Sequence, residues 1–184
     1  MQRAWFAGFA VVFVLRLLAE ARVKPRDTES RPLPRGKVSL QLLSLPFLVS
    51  AFATGLLLWR DGGSNPVFYG AGLILFAVGF AGRASALRKL GRSYSLYIDP
   101  APTEALRTVG IYGRIRHPVY AFYLLETLSL SIIRPNIVSL VSLVLVALAT
   151  AWRIHEEECA LLDRYGEEYR EYMKRTNRLL PWIY

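Results

Sequence analysis

Three long runs of this sequence carry no charged residue, and they restrict the fold more than any other feature. Residues 38–59 form an uncharged run of 22 residues. As an α-helix this run would be about 33 Å long, enough to cross the hydrocarbon core of a bilayer. Residues 62–82 and 135–152 are likewise uncharged. Runs of this length without a charge predict transmembrane helices.

Two weaker apolar segments, residues 4–19 and 118–133, carry one charge each, Arg16 and Glu126. We expect both to span the membrane, which gives an all-α integral membrane protein with five transmembrane helices. A charge inside a spanning helix is costly and usually faces a partner inside the bundle, so we predict an Arg16–Glu126 ion pair. The alternative for residues 4–19 is a cleaved secretory signal. A retained first helix is favoured because Arg16 interrupts the apolar core and the basic residues follow the segment.

Lys and Arg residues are concentrated in alternate loops. Segments 22–37, 83–116 and 153–178 hold six, seven and six of the 23 Lys and Arg residues, in a chain of net charge +9. Basic loops stay on the cytoplasmic side, so the N-terminus is predicted outside and the C-terminus in the cytoplasm. A nucleic-acid-binding protein would need a contiguous basic face on a soluble fold. The alternation of basic loops with apolar runs argues against nucleic acid as a partner.

The segments between the spans predict the remaining elements. Residues 24–37 are rich in Pro and Arg and are expected to form an irregular link at the lipid surface. Residues 87–108 contain mixed basic and aromatic positions, which predict an interfacial segment between the third and fourth helices. Apolar and aromatic residues recur at helical spacing from the fifth span to Tyr172, which predicts a cytoplasmic C-terminal helix.

Small residues in the third span predict close helix packing, because they let two helices approach each other. No Gly-x-Gly-x-x-Gly motif follows a strand pattern, so a soluble dinucleotide-binding domain is not predicted. The single Cys159 excludes an intrachain disulfide. The small residues of the third span are Gly70, Gly72, Gly79 and Gly82, with Ala77 and Ala81.

Two polar blocks flank the hairpin of the fourth and fifth spans. In residues 110–120, Pro118 suits a helix start because its missing N–H would be unpaired there. Arg116 and His117 precede it, where the N–H groups of a helix start favour an anionic group. The second block, residues 153–158, closes the fifth span, so both blocks return to one face of the bilayer. Together they predict one cofactor site at the membrane surface.

Both blocks resemble motifs of the isoprenylcysteine carboxyl methyltransferase family and its phospholipid methyltransferase relatives. The first motif is G-x-Y-x-x-x-R-H-P-x-Y, and the second is R-x-x-x-E-E-x-x-L followed by an aromatic residue and G-x-E-Y-x-x-Y. The resemblance covers about residues 87–182. The first motif is matched by Gly110, Tyr112, Arg116, His117, Pro118 and Tyr120, and the second by Arg153, Glu157, Glu158, Leu161, Tyr165, Gly166, Glu168, Tyr169 and Tyr172.

The resemblance implies S-adenosylmethionine as the methyl donor and a lipidic, prenyl-type carboxylate as the acceptor. It puts Arg153 where the family holds the substrate carboxylate. Where the family tends to have Gly, this chain has Phe122. We expect one domain over residues 1–184, with residues 1–86 as a scaffold and residues 87–184 as the cofactor-binding and catalytic region. The cofactor contacts that the resemblance implies are Tyr112, His117, Pro118, Val119, Tyr120, Glu157 and the backbone around Leu106.

The side chains of the two blocks suit the charged groups of this donor. Glu157 suits its ammonium, whereas Arg116 and His117 suit its carboxylate. Tyr112 and Tyr120 would stack on the adenine or face the sulfonium. The plainer alternative is that Arg153 and Glu157 form an i,i+4 salt bridge on a solvated helix face; their occurrence with the first block favours a site.

Three functions remain open from the sequence. A carboxylate acceptor with a pKa of about 4 is already ionised at neutral pH and needs no general base. The second possibility is an amine or thiol head group; an amine, as in phospholipid methylation, must lose a proton, for which Glu156 or Glu158 would serve. The third possibility is a helical scaffold or transporter whose polar blocks are only interfacial anchors.

Overall fold

The structure is a computed structural model that describes residues 2–22, 34–61, 64–91 and 106–180. Within these residues every regular element is helical, and a single parallel bridge joins Ile115 to Asn177. The predicted all-α class is confirmed. The helices are α1 (Gln2–Arg22), α2 (Pro34–Arg60), α3 (Pro66–Leu90), the 3₁₀-helix Gly110–Gly113, α4 (Pro118–Ile133), α5 (Ile137–Tyr165) and α6 (Glu167–Arg175).

Three helices of the described residues are long and apolar enough to cross a membrane by length and composition: Gln41–Arg60 within α2, α3 and α5. The apolar parts of the other two are shorter, Ala4–Leu18 in α1 and Pro118–Ile133 in α4. The outer faces of the long helices carry large apolar side chains; Phe52 is 73% exposed and Ile74 is 68% exposed. The interior contains buried hydroxyls and charges. This distribution is the reverse of a soluble bundle and indicates a multi-pass membrane protein.

The bounds of the helices differ from the predicted ones mainly at their ends. α2 begins at Pro34, so residues 34–37 are helical although they were expected to belong to an irregular link. Proline is well suited to the first helical position, where no N–H is needed. α3 continues to Leu90. Residues 24–33 of the link and residues 92–105 of the expected interfacial segment lie outside the described residues.

Two contacts bring several helix ends to one end of the bundle. Arg134, between α4 and α5, forms a 3.1 Å ion pair with Asp61, which follows α2. Tyr69, near the start of α3, donates a 2.6 Å hydrogen bond to the carbonyl of Trp5, near the start of α1. The opposite end of the bundle therefore carries the end of α3, the start of α4 and the polar continuation of α5. The hairpin thus brings both polar blocks to the same end.

Helices α3 and α4 approach each other along a row of glycines. A β-carbon at Gly72 would lie 2.5 Å from a side-chain atom of α4, and one at Gly79 would lie 3.0 Å from its backbone. A β-carbon at Gly82 would collide with the ring of Phe122. Close approach of this kind requires glycine, as predicted for these three positions. Gly70, Ala77 and Ala81 were expected to pack in the same way, but Gly70 faces open space and both alanines are exposed. The expectation is wrong for these three because a helix turns by about 100° per residue, which places them away from the side that packs against α4.

A buried carboxylate joins three helices. Glu126 of α4 is fully buried and accepts hydrogen bonds from Nε of Arg16 in α1 at 2.8 Å and from Nε of Arg83 in α3 at 2.6 Å. The predicted Arg16–Glu126 pair is confirmed, and Arg83 is an additional partner. The guanidinium of Arg16 also lies 4.2 Å from the ring centroid of Phe47, a cation–π contact. This network fixes α1, α3 and α4 relative to one another.

Candidate functional site

The segment before α4 is held between α3 and α6. It begins at Gly110, whose φ of +67° lies in the left-handed region that favours glycine. Tyr112 follows in the 3₁₀-helix; it is 5% exposed, and its hydroxyl donates to the carbonyl of Ala86 in α3 at 3.4 Å. The backbone carbonyl of Tyr112 accepts a 2.6 Å hydrogen bond from the hydroxyl of Tyr172 in α6. These contacts determine where the segment enters α4.

α4 starts with Pro118, and His117 is its N-cap residue. The amides of Tyr120 and Ala121 both donate to the carbonyl of His117, at 3.2 and 3.1 Å. Part of the helix start that was predicted to attract an anion is therefore already bonded. The side chain of His117 is 4% exposed, and its Nε2 lies 3.3 Å from Oε1 of Glu158. His117 thus faces α5 rather than solvent.

Glu158 of α5 is the common partner of two arginines at this end of the bundle. Its buried carboxylate accepts hydrogen bonds from Nε of Arg116 and Nε of Arg178, both at 2.9 Å. Nη1 of Arg116 donates to the carbonyl of Met173 at 3.2 Å and also to that of Thr176. Glu158 is poorly suited to accept a proton from an amine, because guanidinium groups already occupy its oxygens. The contact expected between Arg116 and an anionic ligand group competes with these bonds.

Arg153 and Glu157 lie one turn apart on α5 and face the start of α4. Arg153 is 4% exposed, and its Nε donates to the hydroxyl of Tyr120 at 2.7 Å. Oε2 of Glu157 lies 3.9 Å from Nδ1 of His117, and the Glu157 side chain is 36% exposed. Among the described residues this Oε2 is shielded from solvent and has no hydrogen-bond partner. A solvated surface pair does not fit the burial of Arg153, and an orphaned carboxylate oxygen fits a cationic ligand group.

The segment after α5 closes the site. α5 runs past the apolar span as predicted and ends before Gly166, whose φ of +53° favours glycine. α6 then turns back toward α4. Burial raises the pKa of Tyr172 to about 12, so its hydroxyl stays a proton donor at neutral pH. The amides of Arg116 and His117 donate to carbonyls that follow α6, at 2.8 and 3.0 Å. The end of α6 is thereby fixed to the start of α4.

The structure thus brings the two predicted polar blocks together at one end of the bundle. Leu106, the remaining candidate, is half-buried at the start of the last described segment, and residues 104–105 beside it lie outside the described residues. The contacts that join the two blocks are those of Tyr120 with Arg153, of His117 with Glu157 and Glu158, and of Arg116 with Glu158. Tyr112, Pro118 and Val119 lie in the same segment, directly before or at the start of α4.

Sequence reasoning missed the partners that Arg116 and His117 find in α6 and directly after it. Arg178 is one of several basic residues in this stretch, after Lys174 and Arg175, and the carbonyls of Met173 and Thr176 have no sequence signature. The only available signal was the helical spacing of the tyrosines in this segment. That spacing predicted a helix but not the element against which it packs.

The sequence matches the model of the phospholipid methyltransferase family over residues 67–168. Human protein-S-isoprenylcysteine O-methyltransferase is 31% identical over 119 residues, which are 61% of this chain and 40% of that protein. The protein of the same name from Schizosaccharomyces pombe is 33% identical over 105 residues, which are 55% of this chain and 44% of that protein. The chain therefore spans less than half the length of these two relatives.

A solved structure of the eukaryotic intramembrane Ras methyltransferase, isoprenylcysteine carboxyl methyltransferase, superimposes with a TM-score of 0.69. The superposition covers 99% of this chain and 68% of that one, at 21% sequence identity. This likeness shows a shared fold that includes α1 and α2, which precede the family match. The family match itself contains both polar blocks and the hairpin between them.

Proposed function

Because the chain belongs to the phospholipid methyltransferase family, we propose that it is a membrane methyltransferase that uses S-adenosylmethionine to methylate the carboxylate of an isoprenylcysteine-like lipid. The observation that carries the proposal is the buried Arg153, bonded to Tyr120 and one turn from Glu157, whose Oε2 is shielded from solvent although its side chain is 36% exposed. This arrangement offers a cation to a carboxylate acceptor beside an anion for the ammonium of the donor. The names of the curated relatives support a prenylated cysteine as the acceptor.

The residues present fit S-adenosylmethionine. Oε2 of Glu157 is an acceptor that is shielded from solvent, and no described residue donates to it, which suits the ammonium of the donor. The rings of Tyr112 and Tyr120 suit its adenine or its sulfonium. The turn from His117 to Tyr120 and the backbone around Leu106 would complete the binding site. When bound, the cofactor supplies an electrophilic methyl group.

Arg153 would act on the acceptor. A planar guanidinium binds a carboxylate through two parallel hydrogen bonds and so fixes its orientation. The acceptor carboxylate, with a pKa of about 4, is ionised at neutral pH, so the chain needs no general base. Positioning and exclusion of water are then the main contributions of the protein. The burial of Arg153, Tyr112 and His117, each at most 5% exposed, supports such a dry site.

Methylation of a phospholipid amine is the second candidate, favoured by the description of the matching family. An amine must lose a proton before it attacks. Glu158 is engaged with Arg116 and Arg178, which leaves the half-buried Glu156 as the acceptor of that proton.

A third candidate, of another class, is a scaffold or transporter without a cofactor. The orphaned oxygen of Glu157 argues against it.

The proposal includes a topology. Five helices would span the membrane, with α1 and α4 added to the three long ones, and the interfacial segment expected over residues 87–108 would begin only after α3 ends at Leu90. The 3.1 Å ion pair between Asp61 and Arg134 supports the alternation of the turns. The basic segments at the opposite end support a cytoplasmic site and C-terminus, with the N-terminus outside. The chain would be one domain, with residues 1–86 as its scaffold.

The acceptor is tested with the chain in lipid nanodiscs and radiolabelled S-adenosylmethionine. S-farnesylcysteine and phosphatidylethanolamine are offered in parallel, and we expect label in the first as a base-labile ester. Arg153→Lys should lower that transfer about 100-fold, because a point charge replaces a bidentate fork. Amine methylation should fall much less. Equal loss on both acceptors would contradict the role of Arg153, and a folded protein that binds no S-adenosylhomocysteine would favour the scaffold.

A further inference from the structure

A second buried polar atom near the site has no use in the function proposed above. Tyr169 of α6 is 1% exposed, and its hydroxyl has no hydrogen-bond partner among the described residues. Burying a hydroxyl without a partner costs free energy, so such groups in native proteins usually meet a ligand or an ordered water. Tyr169 was recognised in the sequence only as part of a motif and of a helical pattern.

The bonds of its neighbours place Tyr169 on the side of α6 that faces the site. The hydroxyl of Tyr172 bonds the carbonyl of Tyr112 at 2.6 Å, and the carbonyl of Met173 accepts from Arg116 at 3.2 Å. Residues three and four positions apart share one face of a helix, so Tyr169 lies on the same face as these two. Its ring centroid is 5.8 Å from that of Tyr172.

The hydroxyl of Tyr169 also lies near the charges of the site. Burial raises its pKa, and the carboxylates of Glu158 and Glu157 raise it further, whereas Arg116 lowers it. The hydroxyl is therefore neutral and able to donate a proton at physiological pH. The same region contains the orphaned Oε2 of Glu157. One of these orphaned groups can donate, and the other can only accept.

We infer that Tyr169 is a further cofactor-binding residue, whose hydroxyl donates a hydrogen bond to the α-carboxylate of the methyl donor while Glu157 accepts from its ammonium. The inference rests on the proposed function, because it adds one contact within the same site. Arg116 and His117, the donors first expected for this carboxylate, are engaged with Glu158 at 2.9 and 3.3 Å. A buried donor and a buried acceptor together match the two charged ends of an α-amino acid.

Calorimetry on the full chain in nanodiscs tests the assignment with three ligands. S-adenosylhomocysteine has both charged groups, its decarboxylated analogue keeps only the ammonium, and 5′-methylthioadenosine has neither. In Tyr169→Phe, the affinity for S-adenosylhomocysteine should fall about tenfold and the affinity for the decarboxylated analogue by less than about twofold. Only the complex with S-adenosylhomocysteine loses a hydrogen bond to a charged group. Glu157→Gln should lower the affinity for both amine-containing ligands and leave the affinity for 5′-methylthioadenosine unchanged.

Tyr123→Phe is the matched control, because its hydroxyl bonds the carbonyl of Leu43 inside the bundle at 3.1 Å. It should leave the three affinities unchanged. If Tyr169→Phe lowered the affinity for all three ligands equally and also lowered the unfolding midpoint, the role of Tyr169 would be structural and the inference would be overturned. Unchanged binding of S-adenosylhomocysteine would overturn it as well, since the hydroxyl would then serve only a water. If the folded wild type binds none of the ligands, the proposed function fails, and the inference fails with it.

Discussion

Two buried glutamates are each held by two arginines, but their surroundings differ. Glu126 receives Arg16 and Arg83 from neighbouring helices of the bundle, through side chains alone. Glu158 receives Arg116 and Arg178 from the segments that enter α4 and follow α6. Around Glu158, backbone hydrogen bonds between those two segments add to the ion pairs.

This difference indicates that the Glu126 network is structural, whereas the Glu158 network supports the candidate site. Both oxygens of Glu126 are bonded to guanidinium groups, and the network lies among tightly packed helices. Beside Glu158, in contrast, Oε2 of Glu157 and the hydroxyl of Tyr169 are buried and have no described partner. We therefore expect changes at the first glutamate to affect folding alone, and changes at the second to affect ligand binding too.

Glu126→Gln should have the largest effect on stability. It leaves two buried guanidinium groups without a countercharge, and we expect a loss of about 4 kcal/mol in the free energy of unfolding. In an Arg16→Leu background the same change should cost about 2 kcal/mol less, because one of the two charges is gone. Unfolding in mixed micelles measures both values. An identical loss of unfolding free energy in the two backgrounds would contradict the Arg16–Glu126 pair. A changed affinity of Glu126→Gln for S-adenosylhomocysteine would contradict the expectation that Glu126 affects folding alone.

Glu158→Gln should be milder for folding and more damaging for binding. We expect about 3 kcal/mol of destabilisation, since charged hydrogen bonds are lost but Arg178, whose side chain is 35% exposed, can still be solvated. The affinity for S-adenosylhomocysteine should fall about tenfold, because Arg116 and His117 lose the group that holds the start of α4. Calorimetry on the folded variant measures the affinity. Wild-type affinity in a destabilised variant would make the two glutamates equivalent.

Gly72→Ala should destabilise the scaffold without touching the site. Its new β-carbon would lie 2.5 Å from a side-chain atom of α4, and we expect a cost of about 2 kcal/mol from overpacking. Gly70→Ala is the control, because that position faces open space and alanine favours a helix. The two unfolding midpoints compare them directly. Equal midpoints would mean that α3 and α4 are less closely packed than described.

Tyr172→Phe should have the smallest effect, about 1 kcal/mol, from the lost hydrogen bond to the carbonyl of Tyr112. The pKa of Tyr172, about 12, is above its ordinary value of 10. A raised pKa means that the folded state holds the proton of Tyr172 more tightly than the unfolded state does. The stabilisation by the protonated hydroxyl is therefore present below pH 10 and is lost as the pH rises through 12. Unfolding midpoints of wild type and variant across that range measure it. A constant difference between them would contradict the assignment.

Helical periodicity and uncharged runs predicted the bundle well, because those patterns record burial and membrane depth directly. The Arg16–Glu126 pair was predictable because each is an isolated charge within an apolar segment. Arg83 was not, since it follows directly after an uncharged run and its depth depends on how far α3 continues. The helical phase likewise decides why Gly72 packs and Gly70 does not.

The site was predicted in part for a related reason. Motifs identify side chains that meet a ligand, and they indicated Arg153, Glu157 and the start of α4. They carry no information on backbone carbonyls, so the role of the segment after α6 became visible only in three dimensions. The engagement of Arg116 with Glu158 likewise depends on that segment.

The central claim is that the start of α4 and the Arg153–Glu157 turn of α5 enclose one molecule of methyl donor. Calorimetric titration of the chain in nanodiscs with S-adenosylhomocysteine tests it most directly, with Glu157→Gln in parallel. We predict saturable binding at one ligand per chain, weakened about tenfold or more in the variant while its unfolding midpoint is kept. Equal affinity in both proteins, or no binding by a folded wild type, would contradict the account.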